Sequence, residues 1–76
     1  KNPFSNELIL KTAFPPEACI PFQIMDLQGR VLLSGIHSGS LLQVSSSQWK
    51  PGLYQVLFLW NEQRIIWKGL KNPTQE

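Results

Sequence analysis

A histidine, an aspartate and a serine are the raw material of a hydrolytic triad, and the chain holds all three. His37 is its single histidine and Asp26 its single aspartate, and Ser38 and Ser40 lie beside the histidine. A serine nucleophile also needs a turn that lifts its hydroxyl toward the base. No serine here has such surroundings. His37-Ser38-Gly39-Ser40 reads as a loop, with His37 a solvated loop residue. Cys19 is the only cysteine, which excludes an internal disulfide and any multi-cysteine zinc site. A reactive thiol wants a cation nearby to favour the thiolate, and none is adjacent in sequence, so Cys19 is expected to be buried and inert.

The carboxylates Glu7, Glu17, Asp26, Glu62 and Glu76 are scattered singly. Paired acid–base chemistry or a hard-metal site needs them to converge, and neither a catalytic residue nor a metal ligand is assigned. The five glycines each fall near a turn or strand end and build no phosphate-cradling loop, so no cofactor is expected. The seven basic residues are spread along the chain, with only Lys68 and Lys71 grouped. A nucleic-acid surface wants clustered Lys and Arg with interleaved aromatics, and none is expected. Trp49, Trp60 and Trp67 could stack on sugar rings, or fill a thin core. The core reading is preferred, because Trp60 shares a face with Tyr54, Val56 and Phe58.

The elements that must position these residues are strands. In 76 residues, 42% are hydrophobic and 16% charged, which excludes intrinsic disorder and leaves little mass to line an enzyme's pocket. The longest apolar run, residues 53–60, is interrupted by Gln55 and falls short of the ~20 residues a membrane-spanning helix needs. Lys1 opens the chain with neither a starting methionine nor a signal peptide, as expected for a piece of a longer protein. Apolar residues recur with period two, and turn residues interrupt every eight to twelve positions.

Residues 7–12 read as a strand with Leu8 and Leu10 on one face. Residues 20–26 follow, with Ile20, Phe22 and Ile24 together and Pro21 marking an edge or a strand start. Asp26-Leu27-Gln28-Gly29-Arg30 is a hairpin signal: Gly29 can take the left-handed conformation and Asp26 can bond back to nearby N–H groups. Residues 31–36 form the return strand and 41–44 a short one. Ser45-Ser46-Ser47 is too polar for a core. Trp49-Lys50-Pro51-Gly52 is a turn, and 53–60 is a strand in the middle of a sheet, with Tyr54, Val56 and Phe58 on one side and Leu53, Leu57 and Leu59 on the other. Tyr54 is placed to bond its hydroxyl back to the preceding corner. Residues 64–70 complete the set. One all-β domain over residues 1–76 is expected, an immunoglobulin-like antiparallel β-sandwich of six or seven strands, with a small barrel as the alternative.

The order of these features resembles the type A C-terminal sorting domain of the bacterial type IX secretion system. Asn2-Pro3-Phe4-Ser5-Asn6 is similar to that family's opening, and Ile24 to Val31, with Asp26, Gly29 and Arg30, to its hairpin. Trp49 to Val56, with Gly52, Tyr54 and Val56, resembles its Gly-x-Tyr-x-Val block, and residues 64–71, with Lys68 and Lys71, its closing basic strand. Trp49 stands where the family usually has leucine, and residues 72–76 run past the expected lysine-rich end. The resemblance implies an address rather than an activity. The outer-membrane translocon recognises such a domain on an N-terminal cargo, and the cargo passes through the periplasm to the cell surface or beyond. In many members a sortase-like protease then removes the domain and joins the cargo to lipopolysaccharide. Translocon recognition would rest on Gly52, Tyr54, Val56, Lys68 and Lys71, with Asp26, Gly29 and Arg30 shaping the hairpin. The alternatives are a carbohydrate-binding or adhesive module and a passive spacer. An open strand edge would also permit a strand-exchanged homodimer.

Overall fold

Alternating apolar and polar residues can bury one face only if strands pair and a second layer covers them. The computed structural model describes residues 3, 4 and 6–72, and it resolves that demand with seven strands and no helix. They are β1 (Pro3–Phe4), β2 (Glu7–Lys11), β3 (Ile20–Asp26), β4 (Val31–His37), β5 (Leu41–Ser45), β6 (Gly52–Trp60) and β7 (Gln63–Lys71). A five-stranded sheet runs β1-β7-β6-β3-β4, and a two-stranded sheet pairs β2 with β5. Asn2 and Ser5 of the opening motif, and residues 73–76, lie outside the described residues.

The two layers form a β-sandwich around one core. Ile20, Phe22 and Ile24 of β3 and Tyr54, Val56 and Phe58 of β6 meet Leu8 and Leu10 of β2 and Leu42 of β5. Phe4 closes the core, and Phe14, Trp49, Trp60 and Trp67 pack half-buried around it. β6 lies between β3 and β7 as its two-sided apolar pattern implied. β3 is interior too, so Pro21 marks a strand start rather than an edge: it pairs with Ile36 of β4, while the described β6 ladder begins one residue later at Phe22.

Turn chemistry sets the registers. Gly29, at φ 87°, donates its N–H to the Asp26 carbonyl (3.0 Å), and the Asp26 carboxylate accepts from the N–H groups of Gln28 (3.0 Å) and Arg30 (2.9 Å). The β3–β4 register shifts at Ile24/Met25, so the hairpin closes through a bulge. At the other hairpin, Asn61 and Glu62 take positive φ values of 52° and 64° between the paired Trp60 and Gln63. That is the two-residue turn whose twist suits adjoining strands.

Three sequence expectations change. β1 is an additional strand, and it pairs parallel with β7, Pro3 opposite Leu70 and Phe4 opposite Lys71; the remaining pairings are antiparallel. His37 is not a solvated loop residue. It ends β4 opposite Ile20 and is buried, because the ladder runs one residue further than the apolar pattern does. Ser46 is buried too, drawn in where its N–H bonds the Asn6 carbonyl (2.9 Å) and its own carbonyl accepts from the N–H of Trp49 (3.0 Å).

Candidate functional site

Two motif blocks distant in sequence become neighbours through the β3–β6 ladder, which sets Asp26 opposite Tyr54. The β3–β4 hairpin and the 48–54 corner line a shared open cleft of about 500 Å³, with Asp26 and Arg30 on one bank and Trp49, Lys50 and Tyr54 on the other. Each bank is held by its own backbone. Arg30 Nε lies 3.2 Å from Asp26 Oδ2, with the Arg30 side chain exposed and that of Asp26 largely covered. An ion pair with one arm in solvent contributes little to stability, and the hairpin is held chiefly by the carboxylate's two bonds to backbone N–H groups.

On the other bank the Tyr54 hydroxyl donates to the Lys50 carbonyl at 2.6 Å. The ring packs against Trp49 at 5.0 Å and Phe4 at 6.3 Å. Gly52 adopts φ 145°, a conformation L side chains rarely take, which lets the chain swing from the corner into β6.

The residues singled out for recognition therefore separate. Val56 has no solvent-accessible surface, and Tyr54 is buried and held at the corner. Lys71, placed beside Lys68 by sequence, faces the other way. The two are three residues apart on β7 and so point to opposite faces of the sheet. Lys71 is 1% exposed and its Nζ donates to the Asn72 carbonyl at 2.8 Å, whereas Lys68 is exposed. Of this set, Lys68 is the side chain the folded domain presents to solvent.

The groups weighed for catalysis also stay apart. The Thr12 hydroxyl donates to the Gly39 carbonyl (3.1 Å), so its oxygen accepts from His37 Nε2 at 3.0 Å. The imidazole lies near Phe14 and Phe58, with ring centroids at 6.4 and 5.9 Å. This part-buried bond ties the residue after β2 to the end of β4. Cys19, expected to be buried, is exposed on the approach to β3 and forms no disulfide. Among the described residues, no group of three or more His, Cys, Asp or Glu side chains could hold a metal ion.

The feature that sequence reasoning missed is the outer face of the five-stranded sheet. The sequence places Leu53, Leu57 and Leu59 on the side of a central strand opposite Tyr54, Val56 and Phe58, without saying what that side meets. In the fold they share an open face with Ile66 and Leu70 of β7 and Ile36 of β4, and Ile36 and Ile66 are 64% and 52% exposed. The doubled apolar pattern of β6 carried this signal, but it reads the same whether the second face is covered within the chain or by something outside it. No protein-family model, curated protein or solved structure matches the chain.

Proposed function

We propose that the chain is a sorting domain of the type IX kind, a folded address that the outer-membrane translocon reads on an attached cargo. The observation that carries the proposal is the ordered set of four motif blocks, each with a distinct physical task in the sandwich. The Asn-Pro-Phe block contributes the short strand that pairs with β7. The Asp-x-x-Gly-Arg block closes the β3–β4 hairpin, and the Gly-x-Tyr-x-Val block supplies the corner bond and the central core strand. The closing basic strand, β7, carries Lys68 on its open face and lies between β6 and the two-residue β1.

A signal of this design is a shape and a surface, needing neither cofactor nor catalytic group. In this reading its partners are the translocon, a sortase-like processing protein and the cargo on its N-terminal side, and its route leads through the periplasm to the cell surface or medium. A sugar platform would need exposed, coplanar aromatic faces. The three indoles instead pack against the core, and no observation favours the glycan-binding reading. The test is to fuse residues 1–76 to the C-terminus of a fluorescent reporter that carries a signal peptide, in a type IX-competent bacterium. Reporter in the medium or on the surface supports the proposal, and reporter confined to the periplasm refutes it.

A further inference from the structure

We infer that the outer face of the five-stranded sheet is the docking surface for an acidic protein partner, an inference that rests on the sorting reading and names the surface through which it acts. The ladder registers map this face in rows. Leu59 lies beside Arg64, Leu57 beside Ile66, Gln55 beside Lys68 and Leu53 beside Leu70, with Gln23 beside Leu57 and Ser34 beyond it on β4. Aliphatic side chains thus alternate with two cations on the same face of β7. The paired residues that make up these rows include no carboxylate.

Its size fits a specific but transient contact. Four strands at roughly 4.8 Å and nine residues at roughly 3.3 Å give about 600 Å². Aliphatic side chains share that area with Gln23, Ser34, Gln55, Arg64 and Lys68, and the largest exposed apolar patch of a monomer is often functional. Matched by a partner, it would bury about 1,200 Å² in total, at the lower end of specific interfaces.

Charge selects the occupant. Covering Arg64 and Lys68 removes water from two cations, which costs stability unless carboxylates meet them. A second copy of these rows has no carboxylate to offer. An anionic membrane has the right sign, but interfacial anchors characteristically present aromatic side chains. All eight Trp, Tyr and Phe residues belong to the core or pack against it. An aliphatic sheet face interleaved with two cations fits a protein surface whose apolar residues are accompanied by Asp or Glu.

The test uses opposite charges at one position. Leu59 is 46% exposed and stands opposite Arg64, so Leu59→Glu gains a cross-strand partner whereas Leu59→Lys is repelled. Thermal melting checks both, and the folding cost falls on the Lys variant, against the direction expected for export. In the export assay the Glu variant is expected to export at least about tenfold less than the Lys variant. The same pair at Ile9, exposed on the other sheet, is expected to show no dependence on sign. Equal losses from both Leu59 variants, or none from either, overturn the inference.

If the unaltered domain is not exported at all, the sorting reading fails by itself. The face is then judged with purified chain and two fluorescent peptides, alternating leucine with either glutamate or lysine. Preferential, salt-sensitive binding of the glutamate peptide that is lost in Lys68→Glu supports the inference. Equal binding, or none, overturns it. Two further results would also overturn it: self-association abolished by Leu57→Lys, which would assign the face to a second copy, and co-flotation with phosphatidylglycerol vesicles, which would assign it to a membrane.

Discussion

Gly69→Ala is expected to destabilise the domain, although exchanging glycine for alanine inside a strand ordinarily stabilises by about 0.5–1 kcal/mol. The reason is the Trp67 indole, two residues earlier on the same face of β7, which folds across Gly69. A Cβ there would stand 2.7 Å from Cζ2 and 2.8 Å from Cζ3 of that ring, with Cη2 closer still. Carbon atoms pack at about 3.5–4.0 Å, so the ring would have to move by roughly 1 Å or more. Phe4 hinders that movement, its ring centroid lying 6.2 Å from the indole. Overpacking of this kind costs about 1–3 kcal/mol. At about 2 kcal/mol, and about 4–8 °C per kcal/mol for a domain of this size, the melting temperature should fall by about 8–16 °C. Circular dichroism follows the melt, and the double variant with Trp67→Leu isolates the cause. In that background Gly69→Ala should be neutral or stabilising, a non-additivity that contact between the two residues requires. A Gly69→Ala melting temperature at or above that of the unaltered domain would refute the reasoning.

Tyr54→Phe keeps the ring contacts but removes the bond to the Lys50 carbonyl, so a loss of about 1 kcal/mol is expected in a denaturant titration; an unchanged midpoint would show that the corner bond contributes nothing. Charge reversal should separate the two lysines. Lys68→Glu is expected to melt within about 0.5 kcal/mol of the unaltered domain, whereas Lys71→Glu places a carboxylate at a position 1% exposed and should cost several kcal/mol (~3 or more). Equal melting temperatures for the two would contradict the burial of Lys71. Cys19, being exposed, should react with a colorimetric disulfide reagent at full stoichiometry in the native state. A requirement for denaturant would contradict its position.

Local chemistry made much of this fold readable in advance. The β3 boundaries and its buried trio Ile20, Phe22 and Ile24 follow from strict alternation, and the hairpin from Asp26 and Gly29. The Tyr54 corner bond is readable because a tyrosine just after a turn has few other partners within reach. What stayed hidden depends on partners distant in sequence. β1 is two residues long and exists because β7 offers it an edge. His37 is buried because Ile20 and Thr12 receive it, and no apolar neighbour in its own loop signals that. Lys71 looks like surface charge in sequence, yet its parity on β7 sends it to the same side as Gly69 and Trp67. The same limit governs the candidate site. Pairing Lys68 with Lys71 was natural at a spacing of three, but a strand puts those side chains on opposite faces. The exposed same-face neighbours of Lys68 along β7 are Ile66 and Leu70, with Arg64 one step further along that face.

The sorting reading is tested most directly by carrying the reporter fusion into two otherwise identical strains, one with a working type IX translocon and one without. Medium, cell surface and periplasm are assayed separately. The account predicts reporter outside the competent cells and the same amount held in the periplasm of the translocon-null cells. Reporter trapped in both periplasms, or released equally by both strains, would contradict it.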